Sequence, residues 1–202
     1  MDRLNAVLTE MEAYAEKYNV PIINRESAQL FTKITAEANP KLVLEIGTAI
    51  GYSTLLLAAN LAPGGKVVTI EQDEERIVMA KHFLTKAGVL EQIEIITGNA
   101  GEVVPAVGGK YDLVFIDAAK GQYLDYLRKV MDKLSPGAVI IADNVLFRGW
   151  ILNNEAPRRF RTIVKRLKAY LDFVTCDPRF KTKVYHIGDG MAVSRYRGET
   201  NL

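Results

Sequence analysis

Three oxygen-bearing side chains close two apolar runs in this 202-residue chain. Asp117 follows Val114-Phe115-Ile116, and Asp143-Asn144 follows Ile140-Ile141-Ala142. Short apolar runs of this kind read as buried strands of a parallel sheet. Adjacent parallel strands bring their C-terminal ends side by side, where open α/β sheets place ligands. Two carboxylates and an amide oxygen then make a hard, all-oxygen half-shell. That suits Mg2+, with Mn2+ able to substitute, and leaves positions for water and substrate. Each aspartate could equally cap the helix that follows it. His82 and His186 have no supporting ligand spacing, and a single cysteine, Cys176, excludes a multi-cysteine zinc site.

A second signal lies upstream. Leu44-Glu45-Ile46-Gly47-Thr48-Ala49-Ile50-Gly51-Tyr52-Ser53 joins the end of a first strand to a helix. Glycines there let the backbone turn tightly and approach a ligand. The G-x-x-x-G spacing of Gly47 and Gly51 departs from the G-x-G-x-x-G dinucleotide fingerprint and lacks the Lys-Ser/Thr of a P-loop. Glu71 closes the second strand, where a carboxylate can accept hydrogen bonds from both hydroxyls of a ribose. A packing turn would explain the glycines alone. With Glu71 in place, the pattern favours a nucleoside-containing ligand.

Four separated motifs, LEIGTAIGYS, IEQDEER, FIDAAKGQY and ADNVLFRG, occur in that order. Together they resemble class I S-adenosylmethionine-dependent, divalent-metal-dependent O-methyltransferases of the catechol and caffeoyl-CoA type. The resemblance runs from about Pro21 to the C-terminus. GTAIGYS, IDAAKGQY and DNVLFRG together are most similar to the bacterial branch typified by tRNA 5-hydroxyuridine methyltransferase.

The resemblance implies that Glu45, Gly47 and Ser53 line the methionine part of S-adenosylmethionine (SAM). Glu71 takes the ribose, and Asn99 and Ala100 lie beside the adenine. Ile23 stands at the N-terminal lid position, where Met or Val is commoner. Asp117 serves cofactor, metal and catalysis, and Asp143 and Asn144 complete the metal set. Lys120 matches the catalytic lysine; a solvated lysine at a helix start is the alternative. A cation disfavours a neighbouring ammonium, so Lys120 is expected to act as base toward a substrate hydroxyl. It also stabilises the oxyanion of a hydroxyl it binds. In-line attack on the sulfonium methyl then owes much of its acceleration to holding both substrates in place.

The elements that must position these residues can be read from periodicity. Leu4, Val7, Leu8, Met11, Ala15 and Tyr18 recur at helical spacing until Asn19-Val20-Pro21, and a second helix is predicted over Arg25–Asn39. Strands are predicted at Leu42–Ile46, Lys66–Glu71, Ile93–Thr97, Leu113–Asp117 and Ala138–Ala142. Helices alternate with them at Ser53–Leu61, Glu74–Ala87, Ala100–Val107 and Tyr123–Leu134, and Pro136-Gly137 reads as a turn. Leu171–Cys176 and Val184–Ile187 read as two further strands without an intervening helix, with Gly188-Asp189-Gly190 before Met191–Arg197. The expectation is an α/β, Rossmann-like, doubly wound and mainly parallel seven-stranded sheet with an antiparallel C-terminal hairpin. One domain spans 1–202, with 1–39 as a helical N-terminal cover and 40–202 as the core.

Composition agrees with a globular chain: 49% hydrophobic, 25% charged and a net charge of +2. One cysteine rules out a disulfide framework. No apolar run approaches the length of a membrane span, and the N-terminus lacks a secretory signal's apolar stretch, so a cytoplasmic protein is expected.

The acceptor is left open by the chemistry. A catechol offers two adjacent hydroxyls, and 5-hydroxyuridine offers its 5-hydroxyl beside the C4 carbonyl with nearly the same bite. Phe147, Arg148 and Trp150 follow Asn144 and are expected over the acceptor pocket. Aromatic and Arg side chains suit a flipped nucleobase and phosphates, a phenolic acid, or mere packing. Arg158, Arg159, Arg161, Lys165 and Arg166, opposed only by Glu155, could track an RNA backbone or form a solvated face. The preferred acceptor is tRNA, with a small catechol-like phenol as alternative. A cofactor-binding module without catalysis is disfavoured by the retention of Asp117, Lys120, Asp143 and Asn144. A nucleotide-dependent oxidoreductase is disfavoured by the glycine spacing and by the lack of a dehydrogenase tyrosine–lysine pair. The apolar face of the first helix could cover the core or a twofold mate, and the resemblance implies a homodimer.

Overall fold

Residue parity sorts the core. In β1 (Leu42–Ile46), Leu44 and Ile46 join one apolar cluster while Val43 joins another. The same alternation holds in β4 (Tyr111–Ile116) from Leu113 onward and in β5 (Leu134–Ala142), where Ile140 and Ala142 face one way and Val139 and Ile141 the other. Period-two side chains buried on both faces are what a sheet covered by helices on each side demands. The computed structural model describes residues 2–153 and 156–198; Glu155, the acid opposing the basic stretch, lies outside them.

The described residues form a seven-stranded sheet in the order β3-β2-β1-β4-β5-β7-β6, with β2 (Lys66–Glu71), β3 (Ile93–Thr97), β6 (Phe180–Tyr185) and β7 (Met191–Tyr196). Strands β1 to β5 pair in parallel, and β7 runs antiparallel to both β5 and β6. The order reverses between β1 and β4, so the ligand crevice falls at their C-terminal ends.

Helices α1 (Asp2–Tyr18), α2 (Arg25–Ala38), α3 (Tyr52–Ala58) and α4 (Glu74–Ala87) cover one face. Helices α5 (Ala100–Ala106), α6 (Tyr123–Val130), α7 (Trp150–Asn153) and α8 (Arg161–Cys176) cover the other. The apolar face of α1 is turned onto its own chain: Val7, Met11 and Ala15 are buried, and Leu4 and Leu8 pack against the same cluster. No helix of the described residues is long and apolar enough to cross a membrane.

Two expectations about local structure are corrected. Leu171–Cys176 is the last turn and a half of α8, not a strand. Val164, Leu167, Tyr170 and Val174 are buried at three- and four-residue spacing, so the helical period wins over a short apolar run. The antiparallel hairpin exists, but it is built from β6 and β7. Pro136-Gly137 is not a turn before β5 but lies inside it, where the pairing register with β4 shifts between Tyr111 and Leu113.

Candidate active site

The turn after β1 is wedged against the end of β4. Gly47 N–H donates to Ile70 O at 3.0 Å, and Asp117 N–H donates to Ile46 O at 3.0 Å. A Cβ on Gly47 would stand 2.2 Å from the Asp117 carbonyl oxygen, and its φ of +106° is one that side chains avoid. Only glycine lets the two strand ends approach so closely. Ala49, with φ +47°, is held in the left-handed region by donating its N–H to Glu71 Oε2 at 2.9 Å.

A cavity of about 430 Å³ opens above these strand ends. Gly47, Ser53, Glu71, Asn99, Ala100 and Asp117 line it, as do Lys120 and Asn144, and Ile23 closes it from the N-terminal segment together with Pro21 and Ile22. Its size falls in the range of small-molecule sites, roughly 300–1,000 Å³.

Glu45 differs from its expected place. It is buried beneath the cavity without lining it. Its carboxylate accepts from Ser53 Oγ at 2.5 Å, Thr54 Oγ1 at 2.5 Å and Thr69 Oγ1 at 2.6 Å. Thr69 and Thr48 hydroxyls lie 2.6 Å apart; because Thr69 gives its proton to Glu45, Thr48 donates to Thr69. Burial pushes the Glu45 carboxyl up to about 7 in spite of these three donors, and the Asp117 charge adds to the rise. Ser53 Oγ, its proton spent on Glu45, retains only acceptor capacity toward the cavity.

Glu71 is buried at the rim and already accepts three backbone N–H groups, from Ala49, Gln72 and Asp73 at 2.9–3.1 Å. A carboxylate has about four acceptor positions, so roughly one strong bond remains for a ligand hydroxyl rather than two. Asn99 spends Oδ1 on Gly101 N at 2.9 Å, capping α5.

The Asp143 carboxylate does not cap a helix. It is 1% exposed, and neither oxygen has a hydrogen-bond partner of good geometry among the described residues. Burial first, then the Asp117 charge, pushes its carboxyl up to about 7; the Asn144 N–H and the Lys120 charge offset this only in part. Burial likewise raises Asp117, opposed by the Lys120 charge. Lys120 Nζ donates to Asn144 Oδ1 at 2.8 Å. Among the described residues no three His, Cys, Asp or Glu side chains gather as a metal cluster. The candidate set is instead two carboxylates and an amide. An orphaned, buried carboxylate beside a second one is costly, and a hard divalent cation is the group that fits it.

Phe147, Arg148 and Trp150 do not line the cavity. They follow Asn144 and form an aromatic cluster with Phe160: Trp150 stacks on Phe160 at 5.0 Å, and Phe147 meets both edge-on at 5.3 and 5.7 Å. Arg148 lies over Trp150 and Arg159 over Phe160. Arg158, Arg159 and Arg161 are exposed, with no ion pair among the described residues.

Residues missed in the sequence include Tyr52, whose hydroxyl donates to Glu12 Oε1 at 2.8 Å while Arg25 donates to Glu12 Oε2 at 2.9 Å. The network ties α1 and α2 to the cavity wall, and nothing in the spacing announces it. Gln122 and Tyr126, one helical turn apart, also line the cavity and could have been found from that spacing.

The family model for O-methyltransferases matches residues 3–197. The catechol O-methyltransferase of Niastella koreensis is 31% identical over 173 residues, which cover 83% of this chain and 78% of that protein. Caffeoyl-CoA O-methyltransferase 1 of Arabidopsis thaliana is 29% identical over 192 residues, covering 88% and 72%. Among solved structures, an O-methyltransferase from Bacillus cereus in complex with SAH (S-adenosylhomocysteine) aligns with a TM-score of 0.85 at 25% identity, covering 95% of this chain and 90% of that one.

Proposed function

The chain belongs to the O-methyltransferase family and is a SAM-dependent O-methyltransferase; from that premise we propose that its acceptor is a hydroxyl flanked by a second oxygen, the 5-hydroxyl of 5-hydroxyuridine in tRNA. The observation that carries the acceptor chemistry is the Asp143 carboxylate, buried beside Asp117 with no hydrogen-bond partner of good geometry among the described residues. Asp117, Asp143 and Asn144 would hold a Mg2+ ion, or Mn2+ in its place, which when bound favours ionisation of an adjacent hydroxyl. SAM supplies an electrophilic methyl group.

The chain's own residues do the rest. Glu71 offers its remaining acceptor position to the ribose, and Ser53 Oγ faces the cavity as an acceptor suited to the methionine ammonium. Asn99 and Ala100 border the adenine end, and Ile23 excludes water from above. Lys120, once its Nζ has given up its own proton, is the general base that receives the proton of the acceptor hydroxyl. Holding donor and acceptor in line within one crevice supplies much of the acceleration.

The exposed arginines at 158, 159 and 161 beside the Phe147–Trp150–Phe160 cluster support a nucleic-acid acceptor. A small catechol-like or caffeoyl-type phenol is the second reading, favoured by the names of the two relatives. Comparing tRNA nucleosides from strains with and without the gene separates them: loss of a methylated hydroxyuridine supports tRNA, and unchanged nucleosides support the phenol. The chain is proposed to act as a homodimer; a monomeric mass by light scattering at micromolar concentration would contradict that.

A further inference from the structure

The loop that follows the Asp143-Asn144 pair is strained and held from outside. Phe147 and Arg148 have φ of +43° and +58°, a left-handed region that is strained for non-glycine residues. Such a conformation persists only where neighbours over-determine it. Here the neighbour is the turn between β6 and β7. Val145 N–H donates to Gly190 O at 3.0 Å and Leu146 N–H to Asp189 O at 2.9 Å. The third bond uses a side chain: Arg148 N–H donates to Asp189 Oδ1.

The turn itself is wedged in place. A Cβ on Gly190 would lie 2.3 Å from Leu146 Cγ, and one on Gly188 would lie 2.2 Å from Asn24 Nδ2 and 2.8 Å from Ser27 Oγ. Glycines thus let it press against the loop on one side and the start of α2 on the other. Asn24 is also the residue after Ile23, so the turn is fixed against the segment that closes the cofactor cavity.

We propose that Asp189 is a positioning residue for the methyl acceptor. Its carboxylate captures the Arg148 N–H and thereby fixes the strained segment that presents Phe147, Arg148 and Trp150 beside Asn144. This rests on the reading of that loop as the acceptor side of the site. Asp189 does not line the cofactor cavity; its hydrogen bond acts through the loop, while its charge also adds to the upward push on the Asp143 carboxyl.

Trp150 is the only tryptophan of the chain, so its fluorescence reports on the loop independently of turnover. In Asp189→Ala, Trp150 emission should shift to the red and become more open to acrylamide quenching. The KM for hydroxyuridine-containing tRNA, or for catechol in a parallel arm, should rise about tenfold, with kcat and SAH affinity changed less than about threefold. Asp189→Asn keeps an acceptor oxygen at the same reach and should restore both readouts. Asp189→Ser, one atom short of the Arg148 N–H, serves if the alanine variant does not fold. Unchanged Trp150 fluorescence would overturn the proposal, because Asp189 would not hold the loop. Shifted fluorescence with unchanged KM for both acceptors would also overturn it, and would place the fault in the acceptor-side reading.

Discussion

Lys120 Nζ reaches across from the end of β4 to donate to Asn144 Oδ1, 2.8 Å away at the end of β5. One cationic side chain therefore occupies the amide oxygen that completes the Asp117–Asp143 set. The same contact places the amine where an acceptor hydroxyl bound beside Asn144 would meet it.

Lys120→Ala should act in opposite directions on binding and turnover. Removing a positive charge close to both carboxylates should tighten Mg2+ by about three- to tenfold, a fraction of the Coulomb energy of such neighbours. Turnover should fall by about 10²–10⁴, the scale of a lost general base. Calorimetric Mg2+ titration and steady-state kinetics on one preparation check both; equal Mg2+ affinity with full activity would contradict the role.

Asp143→Asn should stabilise the metal-free protein. The wild-type carboxylate is buried without a hydrogen-bond partner of good geometry among the described residues, and making it neutral should gain about 1–3 kcal/mol at pH 8. Turnover should be lost while SAM affinity stays close to wild type. Thermal melts with and without Mg2+ read the effect: the variant should melt higher in EDTA and lose the stabilisation by Mg2+.

Stability should fall with rising pH through Glu45. Its carboxyl stands near 7 in the folded protein against 4.5 for the unfolded group, so the folded state holds the extra proton between these values. The contribution is fully present below about pH 4.5 and is lost as pH rises through about 7, up to about 3 kcal/mol in all. Glu45→Gln should flatten the melting curve between pH 5 and 8 relative to wild type. Parallel pH profiles for the two proteins would show that Glu45 does not carry the effect.

If tRNA is the acceptor, replacing Arg158, Arg159 and Arg161 by alanine should flatten the dependence of log affinity on log salt by about 2–3 units of slope, roughly one per lost phosphate contact. Methylation of free catechol should be unaffected. An unaltered slope in filter-binding titrations would mark these arginines as a solvated face.

Much of this site was legible in the sequence because its groups sit where a strand stops. Gly47, Glu71, Asp117 and Asp143 each follow or close a buried apolar run, and the parallel sheet converts that pattern into neighbours. Side-chain partnership was not legible. Glu45 carries a motif position, yet Ser53, Thr54 and Thr69 draw its carboxylate under the cavity floor, and only the register of β1 with β2 brings Thr69 there. Asp189 is 46 residues beyond Asp143, and nothing local links it to Arg148; the antiparallel return of β7 beside β5 makes the contact. The end of α8 resembles a strand locally because Leu171, Phe173 and Val174 suit a strand as well as a helix; the helical period emerges only when Tyr170 and Leu167 are counted with them.

The most direct measurement is reconstitution. Purified protein, SAM and Mg2+ are incubated with tRNA from a strain lacking the gene, and the nucleosides are analysed by mass spectrometry. Conversion of 5-hydroxyuridine to its 5-O-methyl form, abolished by EDTA and by Asp143→Asn, is the predicted result. Unmodified 5-hydroxyuridine under conditions where the same preparation turns over catechol would contradict the account.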